Sequence, residues 1–295
     1  MGFVGSVLRV CFALSLSVTM IVAAAICKVL LMLPVPENRR CGMALVVSQA
    51  AFGLALLLSP WAWITGEDNL GQMFAAIQTQ LDNDDVRPVF VLGNHTSFLD
   101  TVLAVAKMPM RCIYRSRTYM ASYLLDLPLL GTVIRAMGHF EVTFKGTKDG
   151  DFSVDREKMA QTQVRVDAFI ASGGMLCFFP EGQLNPKPEE VMPFRYGGIK
   201  VALQNDAILY QFVTTGCSVV WPRKAQVGGF PGSIRYGMRA IAPKGTKALL
   251  AELREKGADA EKADVAVLCE YLQGEMQSHV DELMEANGTL KDKGA

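Results

Sequence analysis

The sequence has no excess of charge, no paired cysteine motif and little histidine. Its 29 basic residues balance its 29 acidic ones, which argues against a nucleic-acid protein held by bulk charge and against an acidic tail. The seven cysteines form no C-x-x-C pair, so they indicate reduced thiols facing the cytosol rather than a disulfide framework. A 51% apolar composition without repeats or low-complexity tracts excludes a mainly disordered chain.

Apolar residues are instead concentrated at the start of the chain. Residues 10–27 and 41–66 carry no charge, and as helices they would measure roughly 27 and 39 Å, enough to reach across a bilayer. Trp61 and Trp63 end the second stretch, and amphipathic rings prefer the headgroup zone. We therefore predict two membrane helices, over about residues 7–33 and 41–66.

The link between these segments contains Pro34, Pro36 and the basic pair Arg39-Arg40. Because proline interrupts helices, the two segments are expected to form a hairpin. A chain of 295 residues is long enough for one catalytic domain and an appendage. The predicted division is a hairpin over residues 1–66 and a globular domain over residues 67–295.

The orientation of the hairpin has competing interpretations. The positive-inside rule places Arg39-Arg40 in the cytoplasm, and a fully spanning hairpin would then put the domain on the opposite side. A glycan on the sequon Asn94-His95-Thr96 would disturb the histidine discussed below. A hairpin that dips into one leaflet removes this conflict. For the first apolar segment itself, a secretory signal ending near Ala23-Ala24-Ala25 is a competing interpretation. The start of the chain also fits a myristoylation pattern on Gly2, which a membrane segment beginning near Val7 would make redundant.

Short apolar runs alternate with amphipathic stretches in the rest of the chain, which predicts an α/β fold with a mixed sheet flanked by helices. The expected strands are 88–92, 111–114, 140–144, 175–179 and 208–213, and the expected helices are 98–108, 118–130, 156–171 and 197–205. A long amphipathic helix is expected near the C-terminus, from the spacing of Val265, Leu268, Leu272, Met276, Val280 and Leu283.

One of three histidines stands where a strand is expected to open into a helix. The order is Gly93-Asn94-His95-Thr96-Ser97, with Asp100 five residues after His95. On one continuous helix the two side chains would lie about 140° apart and could not touch. If His95 lies on the turn before the helix, Asp100 can accept from Nδ1 and leave Nε2 as a base.

A second motif follows the strand predicted at 175–179. Phe179-Pro180-Glu181-Gly182 places a carboxylate between a rigid and a permissive residue, and Pro193-Phe194-Arg195-Tyr196-Gly197 comes shortly after. By itself this motif favours a plain turn over a functional site. Together with His95 and Asp100 it suggests a site at the carboxyl ends of the strands.

These motifs resemble those of the glycerolipid acyltransferase family, specifically its membrane-bound 1-acylglycerol-3-phosphate acyltransferases. The family pattern reads N-H-x-x-x-x-D, then P-x-x-G with a further Gly, then F-P-E-G and P-F-K-x-G. The matching residues are Asn94, His95, Asp100, Pro128, Gly131, Gly138, the segment 179–182 and the segment 193–197. The resemblance covers about residues 88–216 and includes an apolar hairpin before the core.

The sequence departs from the family pattern at three places. A basic position of the family falls on Phe144, with Lys145 beside it, and the usual T-R-S after F-P-E-G is Gln183-Leu184-Asn185 here. A later proline-containing strand motif has no proline in residues 207–213. These departures concern the acceptor and its phosphate more than the chemistry.

The resemblance implies acyl transfer from acyl-CoA to the sn-2 hydroxyl of 1-acylglycerol 3-phosphate, forming phosphatidic acid. His95 would act as general base, and Asp100 would orient its imidazole. Glu181 would hold the acceptor, and backbone N–H groups near Gly182 or in the helix after His95 would bind the oxyanion. The expected phosphate-binding cations are Arg195, Arg115 and Lys145. No metal or cofactor is expected besides the co-substrate acyl-CoA.

The resemblance also implies a lipid bilayer as partner, a lysophospholipid acceptor and an endoplasmic-reticulum membrane with the domain facing the cytosol. Another lysophospholipid or glycerol 3-phosphate is an alternative acceptor. A serine hydrolase would need Ser97 as nucleophile, but no G-x-S-x-G surrounds it. A non-enzymatic lipid-binding scaffold, with His95 and Glu181 as ordinary polar residues, is the remaining alternative.

Overall fold

The computed structural model describes residues 3–83, 87–145 and 153–288. Within those residues the chain forms eleven α-helices and nine β-strands, with a short 3-10 helix at Ser122–Asp126. The helices are α1 Phe3–Met32, α2 Glu37–Leu57, α3 Leu70–Asp82, α4 Phe98–Lys107, α5 Met110–Tyr114, α6 Leu130–Met137, α7 Arg156–Ala171, α8 Tyr196–Gln204, α9 Cys217–Val220, α10 Thr246–Glu255 and α11 Asp264–Ala286. The strands are β1 Ala62–Gly66, β2 Val89–Gly93, β3 Ser116–Ala121, β4 Phe140–Val142, β5 Phe144–Lys145, β6 Ser153–Val154, β7 Met175–Phe178, β8 Ile208–Thr215 and β9 Gly232–Ala242.

Seven of the described strands form one mixed sheet in the order β1-β9-β8-β2-β7-β3-β4. Strands β8, β2, β7, β3 and β4 are parallel, whereas β9 is antiparallel to β8 and β1 is parallel to β9. The predicted α/β fold with a mixed sheet is therefore confirmed. The parallel strands end at a common edge, which we call the carboxyl edge, and sites in such sheets form there.

The central strand β2 separates two apolar cores. Val89 and Val91 belong to one core and Phe90 and Leu92 to the other, because successive side chains of a strand point to opposite faces. Helices α1, α2, α4 and α6 cover the first face, and α7, α8 and α11 cover the second. Strand β2 is thus buried on both sides, which explains its continuous apolar sequence.

The N-terminal helical pair forms, but its second helix is shorter than predicted. Helix α2 begins at Glu37 and ends at Leu57, and the last part of the predicted helix 41–66 is strand β1, paired with β9. Pro60 lacks the N–H that a continuing helix needs, and an apolar run by itself does not distinguish a helix from a buried strand. Residues 62–66, predicted to end the second helix of the hairpin, instead form strand β1 in the sheet of the domain.

The two helices of the pair differ in exposure. Helix α2 packs between α1 and the domain, with Leu45 and Ala44 almost fully buried. Helix α1 buries Phe12 and Cys27 against its neighbours and leaves the opposite side open. The α1 stripe on that open side consists of the exposed residues Val7, Val10, Leu14, Val18, Ile21 and Val29. Both helices are long and apolar enough to cross a membrane by length and composition, among the described residues.

Two further expectations were wrong. Residues 111–114, predicted as a strand, lie in helix α5, whose first residue follows Pro109 at the N-cap position. Residues 118–130, predicted as a helix, contain most of strand β3 and the 3-10 helix. Strand β9 was missed. The other predicted helices and the long helix α11 are confirmed within a few residues.

Candidate active site

His95 lies on the turn between β2 and α4, at the carboxyl edge of the sheet. The preceding Asn94 is almost fully buried and holds this turn against the neighbouring strand β8. Its Nδ2 donates to the carbonyl oxygen of Thr214 at 2.8 Å, and its Oδ1 accepts the Thr214 N–H at 2.9 Å. The paired contacts set the direction in which the chain leaves the strand.

The structure brings His95 and Asp100 close together at this turn. His95 Nδ1 lies 3.5 Å from Asp100 Oδ2, and the side chains are 16% and 1% exposed. This distance is at the outer limit of a hydrogen bond, and Nδ1 forms no hydrogen bond with any described residue. The two side chains are therefore close without forming the predicted hydrogen bond. No described residue is hydrogen-bonded to Nε2, so the second ring nitrogen is available to a substrate.

Asp100 is held in place by the first turn of α4. Its Oδ2 accepts the N–H groups of Thr96 and Ser97 at 2.6 and 2.7 Å, and its Oδ1 accepts the Thr214 hydroxyl at 2.8 Å. Ser97 is the N-cap and forms a capping box with Asp100. These donors fix the position of the carboxylate beside the imidazole.

The plane of the His95 ring is set by Phe179. The two rings are stacked, with centroids 4.0 Å apart and planes 6° from parallel. Phe179 follows strand β7, which is the neighbour of β2 in the sheet. The first residue of F-P-E-G therefore orients the histidine, a role that the sequence alone did not indicate.

Glu181 has a different role from the predicted one. It is 1% exposed, its Oε1 accepts the His95 N–H at 2.8 Å, and its Oε2 accepts the Met192 N–H at 3.0 Å and Asn185 Nδ2 at 2.7 Å. Burial raises the pKa of this carboxyl, and the three donors oppose the shift. Both oxygens are occupied, so Glu181 fixes the backbone of His95 and does not present a free carboxylate to an acceptor.

Asn185 closes this arrangement from the other side. Its N–H donates to the carbonyl oxygen of His95 at 2.6 Å, while its side chain reaches Glu181. Glu181 and Asn185 thus hold the N–H and the C=O of the same histidine. Asn185 lies where the family has part of T-R-S. From the sequence it was identified only as a difference from the family pattern, and its contact with His95 was not predicted.

Gly182 and Arg195 lie next to one another beside this loop. Gly182 has φ +73°, and a Cβ added there would meet Arg195 Cγ at 3.0 Å, so the position requires glycine. The Gly182 N–H donates to the Phe179 carbonyl at 3.1 Å, so this N–H is engaged within the turn. Arg195 is exposed at the N-cap of α8, and its N–H donates to Pro180.

The other two predicted cations lie elsewhere. Arg115 precedes β3 at the opposite edge of the sheet, where its Nη1 is 3.6 Å from Asp82. Lys145 lies beyond β4, at the far end of the strand order from β2, and its Nζ is 3.8 Å from Asp155. The structure does not bring Arg115 or Lys145 to the site, because Arg115 lies at the opposite edge of the sheet and Lys145 lies beyond the last strand in the order from β2.

Two alternative chemistries can be compared with this geometry. The Ser97 hydroxyl donates to the Trp221 carbonyl at 2.7 Å and accepts the Leu99 N–H at 3.1 Å, so it serves as a helix cap and not as an activated nucleophile. Among the described residues, no three His, Cys, Asp or Glu side chains cluster as a metal site would require.

Comparison with known proteins gives a consistent result. Residues 65–218, more than half of the chain, match the family model described as Acyltransferase. The fold is similar to the crystal structure of the 1-acyl-sn-glycerophosphate (LPA) acyltransferase, PlsC, from Thermotoga maritima, with TM-score 0.61 and 15% identity over 95% of each chain. No curated protein is similar enough in sequence to count as a match.

Proposed function

The chain belongs to the acyltransferase family, and we propose that it transfers a fatty acyl group from acyl-CoA to the sn-2 hydroxyl of 1-acylglycerol 3-phosphate, forming phosphatidic acid. The observation that carries this proposal is the His95–Asp100 pair, 3.5 Å apart, at the carboxyl edge of the sheet. Asp100 is buried, whereas His95 is partly exposed. A base that has one nitrogen beside a carboxylate and the other facing outward suits deprotonation of an alcohol.

In the proposed mechanism, His95 Nε2 takes the proton of the acceptor hydroxyl as its oxygen attacks the thioester carbonyl carbon. The new C–O bond forms, the C–S bond breaks, and CoA leaves as a thiolate that takes up the proton from His95. Asp100 stabilises the transient imidazolium and keeps the tautomer in which Nε2 is the base. Phe179 and Glu181 hold the ring and its backbone, so the base is oriented before the substrates arrive.

The acceptor phosphate is assigned to Arg195. Of the three described cations that the motifs suggested, Arg195 alone lies beside the F-P-E-G loop, and its guanidinium can grip a phosphate with paired N–H donors. Arg115 and Lys145 do not lie beside the F-P-E-G loop. The second candidate substrate is therefore an acceptor lipid with a different headgroup.

We assign the protein to a membrane surface, with the domain on the cytosolic side. The α1 stripe offers a continuous apolar surface, while α2 lies against the domain, which fits a hairpin embedded in one leaflet. Asn94 supports the side chosen: Nδ2, the atom that a glycan would modify, is hydrogen-bonded inside the catalytic turn.

The test is transfer of labelled oleoyl-CoA by the full-length protein in phosphatidylcholine vesicles that contain one acceptor at a time. The acceptors are 1-acylglycerol 3-phosphate, glycerol 3-phosphate, lysophosphatidylcholine and lysocardiolipin. We expect kcat/KM for 1-acylglycerol 3-phosphate to exceed the others by at least about tenfold, and His95→Ala to abolish transfer. A preference for another acceptor would overturn the substrate assignment, and no transfer to any would overturn the enzymatic proposal.

A further inference from the structure

The loop over residues 221–231, between α9 and β9, touches the catalytic turn. The Trp221 carbonyl accepts the hydroxyl of Ser97 at 2.7 Å, and Ser97 is the N-cap of α4, two residues after His95. The Ser97 N–H in turn donates to Asp100 at 2.7 Å. The position of Trp221 therefore bears directly on the carboxylate that orients the histidine.

The ring of Trp221 lies between the catalytic helix and the N-terminal helix. It contacts Phe98 of α4, with centroids 6.0 Å apart, and meets Phe12 of α1 edge-on, with centroids 5.7 Å apart and planes at 83°. Phe12 is 1% exposed, although most of its apolar neighbours along α1 are open. An edge-on aromatic pair of this kind is directional.

Helix α1 approaches the loop closely enough to need glycine. Gly229 has φ +98°, and a Cβ added there would lie 2.4 Å from Phe12 Cβ. The Arg9 guanidinium lies over the Phe230 ring, 4.4 Å from its centroid, and Nη2 donates to the Val227 carbonyl at 3.4 Å. Arg9 and Phe12, one helical turn apart on α1, thus contact the loop through packing, a cation–π contact and a hydrogen bond.

The segment that follows α2 contacts the same loop. Trp61, which follows α2, donates its indole N–H to the Gly229 carbonyl at 3.0 Å. The Trp61 carbonyl accepts the Gly232 N–H at 3.2 Å. The loop is therefore held from both ends of the hairpin, although it lies more than 150 residues later in the sequence.

We infer that α1 positions the catalytic turn, in addition to any role at the membrane, through the contacts Phe12–Trp221 and Trp221–Ser97. This inference rests on the proposed function, since it concerns the alignment of His95 and Asp100 during acyl transfer. The Nδ1–Oδ2 distance of 3.5 Å leaves little tolerance, and a displacement of about 1 Å at a catalytic pair can cost about 100-fold in rate. Phe12 and Trp221 are positioning residues, because they act through Ser97.

The test uses the full-length protein in detergent micelles, with octanoyl-CoA and 1-hexanoylglycerol 3-phosphate below their micelle-forming concentrations. Delivery from a bilayer then plays no part. We expect Phe12→Ala to lower kcat by at least about tenfold while both KM values stay within about twofold. Phe12→Leu, which refills the site, should recover most of the loss. Cys11→Ala, an exposed neighbour on the same helix, is the matched control and should behave like the wild type.

Hydrogen exchange gives a second readout that does not depend on activity. In Phe12→Ala, amides of the peptide 94–100 should exchange faster than in the wild type, whereas a peptide from α7 should be unchanged. Cys11→Ala should alter neither peptide. A Phe12→Ala protein with wild-type kcat and wild-type exchange at 94–100 would overturn the inference.

The two proposals fail in distinguishable ways. If the wild type transfers no acyl group to any acceptor, the proposed function fails, and the exchange measurement still decides whether α1 holds the turn. If the wild type is active but Phe12→Ala raises KM and leaves kcat unchanged, α1 contributes to substrate binding and the positioning role is wrong.

Discussion

The described residues contain two histidine–carboxylate pairs that differ in distance, burial and surroundings. His95 and Asp100 are 3.5 Å apart, five residues apart in sequence, at the carboxyl edge. His279 of α11 lies 3.1 Å from Glu67, which follows β1, and its other nitrogen is 3.1 Å from the Gln211 amide. His279 is fully buried, whereas His95 is 16% exposed.

The His279–Glu67 pair has the shorter distance, but it leaves no ring nitrogen that a substrate could reach. Both ring nitrogens of His279 are engaged, and Arg239 lies 3.8 Å from Glu67 and also pairs with Glu282. That network ties the C-terminal helix to β1 and β9. A short distance between a histidine and a carboxylate thus does not indicate catalysis; a base needs one nitrogen that a substrate can reach.

The strongest test of this comparison replaces both histidines in the same way. His95→Gln should lower acyl transfer by about 10²–10⁴-fold, because the base is lost, with little change in thermal unfolding. His279→Gln should keep activity per folded molecule within about threefold and lower the unfolding temperature. Acyl transfer and circular dichroism melting measured on the same preparations compare the two, and equal activity losses would break the distinction.

Substitution of the two carboxylates should show the same contrast between activity and stability as substitution of the two histidines. Asp100→Asn should lower kcat by about 100-fold or more, because the neutral amide does not stabilise the imidazolium. Glu67→Gln removes a charge beside Arg239 and should affect unfolding more than kcat. Steady-state kinetics with unfolding in urea provides the measurement. Wild-type kcat in Asp100→Asn would show that the pair is not catalytic.

The pH dependence of the free energy of unfolding tests whether His279 has a structural role. Burial lowers the pKa of His279, although Glu67 raises it in part. The unfolded histidine titrates near its usual value of about 6.5, so below that pH the unfolded state binds a proton that the folded state resists. The free energy of unfolding should therefore fall as pH falls below about 6.5.

Urea unfolding between pH 7.5 and 5 would measure this effect. His279→Gln should show a weaker pH dependence than the wild type over that interval. His139, whose pKa burial lowers to about 4, contributes in the same direction and remains in both proteins. Identical slopes for the two proteins would mean that His279 is not held neutral by the fold.

The smallest expected effect concerns the acceptor rather than the base. Arg195→Met should raise the KM for 1-acylglycerol 3-phosphate by up to about tenfold with kcat nearly unchanged, because binding to the phosphate is lost while His95 is untouched. Lys200→Met, an exposed cation on the same helix, is the control. A KM shift confined to acyl-CoA would assign Arg195 to the donor instead.

Contacts between residues close in the sequence were predictable, whereas contacts between distant residues were not. The meeting of His95 and Asp100 was predictable because the turn, the cap and the first helical turn all lie within a few residues. Arg115 and Lys145 were misplaced, since one precedes β3 and the other follows β4. Residues 111–114 were too short and too apolar for their pattern to distinguish a strand from a helix.

Elements with local causes could be predicted from the residues alone. They are the two apolar helices, the buried strand β2 and the Ser97 cap that turns Asp100 toward His95. The distant residues that complete the site are brought there by the arrangement of the strands. Glu181 and Asn185 lock the histidine, and Trp221 supports its cap, because β2 lies between β7 and β8 in the sheet. Strand order depends on how helices pack on both faces of the whole sheet, and that packing leaves no periodic signal in the residues it brings together.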